Sequence, residues 1–350
     1  MAANVVRVEA ATPDEDIIGR AAALLREGGL VAFPTETVYG LGANALDPAA
    51  VRRIFAAKGR PARNPLIVHV PDVAKARQIV TAWPAAAARA AEAFWPGPLT
   101  LVLPKSSQVP DEVTAGLGSV AVRVPAHPVA LALLRRAGVP VAAPSANRFT
   151  HVSPTSAAHV ARGLGDRVDL ILDGGVTPYG IESAVLDLAG ARPRLLRHGA
   201  IGIVELEEVL GPIDVAVAQP SASRPGEPGA GDRDDDADAA GLPSPGMLHR
   251  HYSPSGTVVV FADAVRAASL AAEAHAAGRR VGALLLSLSV PGADQVAALP
   301  PDARGYARLL YASLHALDDA GCDLILVEQV PDGPEWAAVR DRLGRAAHSG

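Results

Sequence analysis

Short apolar runs alternate with amphipathic segments over the first 213 residues of the chain. Runs of four to six residues predict buried strands, because they are too short for ordinary helices and end at turn-forming residues. They cover 30–33, 66–70, 99–103, 120–124, 139–143, 169–173, 183–188 and 194–197. Helical spacing predicts helices near 72–81, 84–94, 128–137 and 155–163. This pattern predicts an α/β domain built around a mixed sheet.

Two further helices have start and stop signals. Thr12 and Glu15 have the spacing of a capping box, Pro13 suits the first helical position, and Gly28 follows the last turn. The apolar stripe expected on this first helix is Ile17, Ala21, Leu24 and Leu25. The second helix is predicted from Asp47 to Lys58, with Gly59 beyond its end.

The composition changes near residue 214 and again near residue 256. Segment 214–255 is rich in Pro, Gly, Ser and Asp and has no apolar period, so it predicts a partly disordered linker. Beyond it, three apolar runs alternate with helical patterns, which predicts a small parallel-sheet, Rossmann-like domain over 256–350. Those runs are 257–263, 281–288 and 322–330. The first run is not followed by a glycine-rich phosphate loop, so dinucleotide binding is not expected there.

Composition and charge exclude several classes of protein. With 49% apolar residues the 350-residue chain can bury substantial cores. A net charge of −5 argues against general binding to nucleic acid or to a membrane surface. The single cysteine, Cys322, excludes disulfides within the chain and predicts a buried, inert thiol. Without an 18-residue apolar run or a secretory signal, the expected location is the cytoplasm.

Polar side chains gather at the ends of the predicted strands, where α/β proteins place ligands. PTETVYGLG (34–42) offers hydroxyls and glycine-freed amides for a small polar ligand, or forms an ordinary turn with threonine caps. Lys58, Arg60 and Asn64 suit a polyphosphate, although both cations could simply favour a helix C-terminus. His69 lies inside the following strand, where a lone histidine is more often a structural residue than a ligand.

Three later segments add charged and hydroxyl groups. Arg123 lies among valines, so it either meets an internal carboxylate or awaits an anionic ligand such as an amino-acid carboxylate. Ser145 and Ser153 flank a strand end, although Ser153 could simply cap a helix. The segment 172–199 contains carboxylates that could hold Mg²⁺ or neutralise nearby arginines. P-loop, GxSxG and HExxH motifs are absent from the sequence.

Taken together, these motifs resemble the YrdC family in order and spacing. The matching segments are PTETVYGLG, KGRP…NPLIVH, WPGPLT (95–100), VAVRVPAHP, APSAN…SPT and GIES. The linker end SPGMLHRHYSP (244–254), followed by a small α/β domain, is similar to the two-domain threonylcarbamoyl-AMP synthases. The resemblance implies a twisted, open mixed sheet with a locally positive cleft in a catalytic domain over 1–213.

The implied reaction joins L-threonine, bicarbonate or CO₂, and ATP to give threonylcarbamoyl-AMP, pyrophosphate and water. It is the first step of the threonylcarbamoyladenosine modification of tRNA. The residues that the resemblance assigns to threonine are Thr37, His69, Arg123, Ala143 (through its backbone) and Ser183. Those assigned to ATP are Lys58, Arg60, Asn64, Ser119, Ser145, Ser153, Arg197 and Tyr252. Tyr252 would close the linker over the nucleotide.

The implied catalysis needs no protein nucleophile. Lys58 and Arg60, with Mg²⁺, would neutralise charge while the substrates are aligned, and no residue is assigned to the metal. A downstream threonylcarbamoyl transferase is the expected partner, and the charge argues against strong direct binding of tRNA. Two alternatives stay open: an RNA-binding module without turnover, and a carbamoyltransferase that uses carbamoyl phosphate. The second class carries acylphosphatase and zinc-finger modules that this sequence lacks.

Overall fold

The computed structural model describes residues 3–216 and 252–347. An eleven-stranded mixed sheet forms the frame of the first domain. In chain order its strands are β1 (Val5–Arg7), β2 (Val31–Pro34), β3 (Tyr39–Asn44), β4 (Ile67–His69), β5 (Leu99–Pro104), β6 (Ser119–Arg123), β7 (Val141–Ala142), β8 (Leu170–Asp173), β9 (Ala184–Asp187), β10 (Arg194–Arg197) and β11 (Asp214–Val215). Across the sheet the order is β1-β8-β2-β3-β7-β4-β6-β5-β9-β10-β11.

Helices cover this sheet. They are α1 (Glu15–Arg26), α2 (Pro48–Lys58), α3 (Val73–Gln78), α4 (Ala85–Phe94), α5 (Asp111–Thr114), α6 (Pro128–Ala137), α7 (Ala157–Leu164) and α8 (Ile203–Leu210). A 3-10 turn, Gly165–Arg167, follows α7. The strands β4 and β6 are parallel, whereas β7 runs antiparallel to β4, so chain segments approach the middle of the sheet from both directions.

The second domain is smaller, and its sheet is wholly parallel. Its strands are β12 (Thr257–Phe261), β13 (Val281–Leu285), β14 (Gln295–Ala298) and β15 (Leu324–Glu328), in the order β12-β15-β13-β14. Its helices are α9 (Ala264–Ala276), α10 (Ala303–Asp319) and α11 (Ala337–Ala347), with a 3-10 turn at Pro334–Trp336. The predicted fold class, a mixed-sheet domain followed by a smaller parallel-sheet α/β domain, is therefore confirmed.

Of the predicted linker, 214–255, residues 217–251 lie outside the described part of the chain. At its start, β11 pairs in parallel with β10 at the edge of the large sheet. At its end, Tyr252 and Ser253 are buried between the two domains, and the Ser253 N–H donates to Thr150 O at 2.9 Å.

The start of α1 differs from the predicted one. Its N-cap is Asp14 rather than Thr12, since the Asp14 carboxylate accepts from the N–H groups of Asp16 and Ile17, each at 3.0 Å. The buried face of the helix consequently differs from the expected apolar stripe. Its buried residues are Ile18, Ala21, Ala22 and Leu25. For α2 the prediction is confirmed, with Asp47 as N-cap and Gly59 in a left-handed conformation at φ 63°.

Four of the described strands were not predicted from the hydrophobic pattern: β1 and β11, which have three and two residues, and β3 and β14. β3 was interpreted as part of a turn because of its glycines, yet it forms an antiparallel hairpin with β2. A Cβ on Gly42 would stand 2.8 Å from the Phe33 ring, so the glycine lets the two strands pack closely. β14 is short and mostly exposed, so it shows no apolar run.

One hydrophobic core joins the two domains. It combines Val38, Val152 and Ile181 of the first domain with apolar residues of α10 and α11, and Tyr252 lies among them. The described ranges include no helix that is both long and apolar enough to cross a bilayer. The functional segments of the large sheet therefore lie directly against the second domain.

Candidate active site

A small cavity of about 50 Å³ lies where β2, β4, β6, β7, β9 and β10 meet. Nine of the residues predicted to bind substrates line it: Thr37, Arg60, His69, Arg123, Ala143, Ser145, Ser183, Arg197 and Tyr252. Thr35, Val38, Gly40, Ile67, Pro144 and Glu182 complete its wall. The prediction that distant motifs converge on one site agrees with this geometry.

The register of the sheet brings these residues together. His69 and Arg123 are direct neighbours on the parallel strands β4 and β6. Ala143 follows β7, and its N–H donates to Ile67 O on β4 at 2.9 Å. Ser183 precedes β9, and Arg197 ends the adjacent antiparallel strand β10. Residues far apart in sequence thus share one end of the central strands.

Arg123 has an internal carboxylate partner. Its Nη2 donates to Glu36 Oε1 at 2.6 Å, and the two side chains are 4% and 5% exposed. Its Nε donates to Gly97 O at 3.2 Å, and Glu36 Oε2 accepts from the Ala126 N–H at 2.9 Å. Within the described residues Nη1 has no hydrogen-bond partner. The buried Arg123 therefore forms an ion pair with Glu36 and still has N–H groups that can donate to a ligand in the cavity.

His69 lies in the cavity wall with one ring nitrogen left unsatisfied among the described residues. Its Nδ1 is buried and has no hydrogen-bond partner among the described residues, while Phe33 stands edge-on to its ring at 6.3 Å. Burial, and then the charge of Arg123, lowers the pKa of His69 to about 3. The imidazole is therefore neutral near pH 7 and can bond a polar ligand.

Hydroxyl pairs support the same wall. Thr37 Oγ1 lies 2.8 Å from Thr35 Oγ1, and Ser183 Oγ lies 2.8 Å from Thr100 Oγ1. Thr35 and Thr100 were not predicted as site residues, although each lies within a quoted motif, Thr35 in PTETVYGLG and Thr100 in WPGPLT. Both pairs are buried, so they fix the orientation of the hydroxyls that face the cavity.

Lys58 is buried rather than exposed at the end of α2. Its Nζ donates to Ser145 O at 2.5 Å and to Asn147 O at 2.6 Å, which ties the loop after β7 to α2. Burial, followed by the charge of Arg60, lowers the pKa of Lys58 well below its ordinary value. Its ammonium does not line the cavity itself but holds Ser145 in the cavity wall.

Arg60 reaches the cavity from the loop after α2. Its Nη2 donates to Pro65 O at 2.9 Å, whereas its Nε is buried without a partner in the described structure. Burial lowers the pKa of Arg60 to about 9, with a further lowering from Arg197 and a raising contribution from Tyr252. Arg60 and Arg197 both line the cavity, and two guanidinium groups in one buried cavity favour binding of an anion.

Asn64 and Ser119 lie outside the cavity lining. Asn64 is fully buried, yet neither its Oδ1 nor its Nδ2 has a partner in the described ranges, an arrangement that suits a ligand amide or hydroxyl. Ser119 begins β6 and pairs with Pro104, at the opposite end of that strand from Arg123. The structure does not bring Ser119 together with the other site residues.

Ser153 does not cap a helix, because the N-cap of α7 is Ser156. Its Oγ instead donates to Glu182 Oε1 at 2.6 Å, at the cavity wall. Glu182 also accepts from Tyr311 of α10 at 3.0 Å and from Nε of Arg342 of α11 at 3.1 Å. Neither Tyr311 nor Arg342 was predicted as a site residue, because the sequence of the second domain contains no motif that points to a functional site.

Tyr252 closes the cavity on the side of the second domain. It is 1% exposed, has a φ of 64°, and stacks on Tyr311 with ring centroids 5.6 Å apart. Arg197 runs beneath this region and donates through Nη2 to Ser183 O at 3.0 Å. The end of the linker thus lines the cavity, and closure over a nucleotide by the HYSP element stays a prediction.

The carboxylates at the site do not form a metal centre. Across residues 3–216 and 252–347, no three His, Cys, Asp or Glu side chains are placed to hold a metal ion. Glu36 is engaged with Arg123, and Glu182 with Ser153, Tyr311 and Arg342, so both neutralise arginines. Cys322 is a free, buried thiol, as predicted.

Comparison with known proteins matches both halves of the chain. Residues 23–199 match a family model described as "Telomere recombination", and residues 201–348 match "Threonylcarbamoyl-AMP synthase, C-terminal domain". The threonylcarbamoyl-AMP synthase of Pyrococcus abyssi is 45% identical over 93% of each chain. That of Bacillus subtilis is 43% identical over 94% of this chain and 92% of its own.

Solved structures agree with these matches. A crystal structure of P. abyssi Sua5 complexed with L-threonine superposes with a TM-score of 0.88 at 43% identity, covering 98% of this chain and 97% of that one. Escherichia coli YciO matches 59% of this chain at 25% identity with a TM-score of 0.53. The two-domain architecture is therefore shared with the first of these relatives.

Proposed function

The chain belongs to the threonylcarbamoyl-AMP synthase family, and from that premise we propose how its residues make threonylcarbamoyl-AMP from L-threonine, bicarbonate or CO₂, and ATP. It is an enzyme that uses ATP as a substrate in the first step of tRNA threonylcarbamoyladenosine formation. The observation that carries the residue assignments is the convergence of Arg123, His69 and Ser183 with Arg60 and Arg197 on one buried cavity.

We propose that threonine binds at the end of β4 and β6. Its carboxylate would accept from Nη1 of Arg123, which has no other partner in the described residues. Neutral His69 and the hydroxyls of Thr37 and Ser183 would bond the amino and hydroxyl groups. The Ala143 N–H is engaged with Ile67, so its carbonyl is the backbone group left for the ligand.

We propose that ATP binds on the side of the cavity opposite to the threonine, between the loop after α2 and the end of β10. Arg60 and Arg197 would bind its phosphates, and the unpartnered Asn64 amide would bond a further polar group of the nucleotide. Lys58, Ser145 and Ser153 complete the proposed ATP set, and Ser119 is left out of it because it lies at the opposite end of β6 from Arg123. Lys58 keeps one of its three ammonium donors beyond the two carbonyl oxygens.

In the described arrangement the cavity is too small to admit the nucleotide. A cavity of about 50 Å³ cannot hold ATP, since pockets for ligands of this size measure about 300–1,000 Å³. We propose that Tyr252, at the end of the 214–255 linker, moves away to admit the nucleotide and returns over it. The catalytic domain would then be 1–213, with 256–350 as the support for this closure.

The proposed chemistry uses no protein nucleophile. The threonine amine adds to CO₂ or bicarbonate to give a carbamate, with loss of water from bicarbonate. A carbamate oxygen then forms a bond to the α-phosphorus of ATP, and the bond to the pyrophosphate oxygen breaks. The work of the protein is alignment of the two substrates and neutralisation of phosphate charge by Arg60, Arg197 and Lys58.

Magnesium would enter bound to the triphosphate, because the carboxylates at the site are already engaged. When bound there, it would neutralise phosphate charge. A downstream transferase that moves the threonylcarbamoyl group to tRNA is the proposed partner, without strong tRNA binding by this chain itself. The proposed compartment is the cytoplasm, where ATP, threonine and tRNA are all present.

Pyrophosphate release tests this proposal. ATP is supplied with Mg²⁺, and L-threonine and bicarbonate are each added or omitted. Release should need both, and it should drop about tenfold or more when serine replaces threonine, because serine lacks a methyl group whose fit in a pocket is worth about 1–3 kcal/mol. Release without threonine would overturn the proposed reaction. Salt-sensitive binding to RNA with no release would favour the binding-module alternative.

A further inference from the structure

Arg342 of α11 is a buried arginine that the catalytic steps above do not use. It is 1% exposed and reaches from the second domain to the wall of the cavity, where its Nε donates to Glu182 at 3.1 Å. Its Nη1 donates to His198 O at 2.6 Å and to its neighbour Asp341 at 2.9 Å. One side chain therefore joins the second domain to two segments of the first.

Two contacts of Arg342, with Glu182 and His198, each lie one step from a proposed ATP ligand. Glu182 accepts from Ser153, and His198 directly follows Arg197 in the chain. The guanidinium carbon of Arg342 lies 5.4 Å from the centre of the Tyr252 ring, within range of a cation–π contact. Ser153, Arg197 and Tyr252 are thus all braced through this single guanidinium.

The charge of Glu182 makes the contact with Arg342 more than a structural brace. The other donors to this carboxylate are hydroxyls, of Ser153 and Tyr311, and Arg197 is the next guanidinium within its electrostatic reach. Loss of Arg342 would leave Glu182 as a negative charge that repels triphosphate and competes with it for Arg197. Asp341 would keep Arg345 as its partner.

We propose that Arg342 is a positioning residue for ATP, which neutralises Glu182 so that Arg197 faces the phosphates and which braces Tyr252 in its closing position. This inference deepens the proposed function and rests on it. It gives the second domain a definite role in the reaction. The threonine end of the cavity, at Arg123 and His69, makes no contact with Arg342 among the described residues.

The test measures pyrophosphate release by the full chain as ATP and threonine are varied separately. Arg342→Met should raise the KM for ATP about tenfold or more, the effect of losing about 1.4 kcal/mol of binding, and leave the KM for threonine within about threefold. Glu182→Gln combined with Arg342→Met should restore much of the ATP affinity, since the repelling charge is then absent. Arg342→Lys should recover part of it.

Arg340→Met is the matched control. Arg340 lies on the same helix but donates to backbone oxygens of Pro331 and Gly333, away from the site. Its KM values should equal those of the unaltered protein. Equal effects of Arg340→Met and Arg342→Met, an equal rise in both KM values, or no recovery in the double variant would each overturn the inference.

Two further results keep the inference separate from folding and from the proposed function. If Arg342→Met does not fold, Tyr311→Phe removes only one hydroxyl from Glu182 and should still raise the KM for ATP, by about twofold to tenfold. An unchanged KM in that variant would then overturn the inference. Absence of threonine-dependent release in the unaltered protein would instead overturn the proposed function itself.

Discussion

Replacing Arg123 by methionine tests the buried ion pair at the threonine end of the cavity. The change removes the guanidinium that bonds Glu36 at 2.6 Å, in a place where both side chains are 4–5% exposed. Among the described residues, the Glu36 carboxylate would keep only the hydrogen bond from the Ala126 N–H. Removing one partner of a buried pair costs about 3–5 kcal/mol, so the free energy of unfolding should fall by about that amount.

The same change should weaken threonine binding. A charge-assisted hydrogen bond from Arg123 Nη1 to the threonine carboxylate contributes about 1.5–3 kcal/mol, which is a factor of about 10–150 in affinity. The KM for threonine in pyrophosphate release should rise by a factor in that range. The KM for ATP should change little, because Arg60 and Arg197 are unaltered.

A second variant separates the two effects. Glu36→Gln combined with Arg123→Met removes the unpaired charge, so urea unfolding should show much of the lost stability restored. Threonine binding should stay weak, because the guanidinium is still missing. Threonine affinity of Arg123→Met within about threefold of the unaltered protein, or its full recovery in the double variant, would refute the assigned role.

Three more predictions concern the rest of the site. A Cβ on Gly199 would stand 2.0 Å from the Ala184 N atom, so Gly199→Ala should lower both melting temperature and activity, whereas Gly190→Ala, with open space around it, should change neither. The pKa of His69 is about 3 when folded and about 6.5 when unfolded, so stability should fall as the pH drops from about 6.5 towards 3, and in urea titrations His69→Asn should flatten that slope by about 1.4 kcal/mol per pH unit. Lys58→Met leaves two carbonyl oxygens without their donor and should raise the KM for ATP about tenfold, measured by pyrophosphate release.

Much of the fold could be predicted because its strands are short apolar runs between helices. Each of the eight predicted runs of the first domain overlaps a strand of the large sheet. β3 could not be found this way, since its glycines serve close packing of a hairpin rather than a turn. The N-cap of α1 was assigned wrongly because Thr12 and Asp14 both have side chains suited to that position.

The site was predictable where its residues lie in motifs and unpredictable where a contact spans the fold. Arg123 among valines signalled a buried cation, but its partner Glu36 is 87 positions away and is set by sheet register. The Glu182–Arg342 contact joins two domains across 160 positions. Such pairs depend on how the domains pack, and a single sequence carries no periodic signal for that packing.

The proposed reaction couples threonine, inorganic carbon and ATP in one product. Mass spectrometry of the products formed from ATP, L-threonine and ¹³C-labelled bicarbonate tests this coupling. The expected product is a threonylcarbamoyl-AMP ion that carries one ¹³C atom and appears together with pyrophosphate. An ion with the mass of threonyl-AMP, without the labelled carbon, or release of ADP and phosphate in its place, would contradict the proposed reaction.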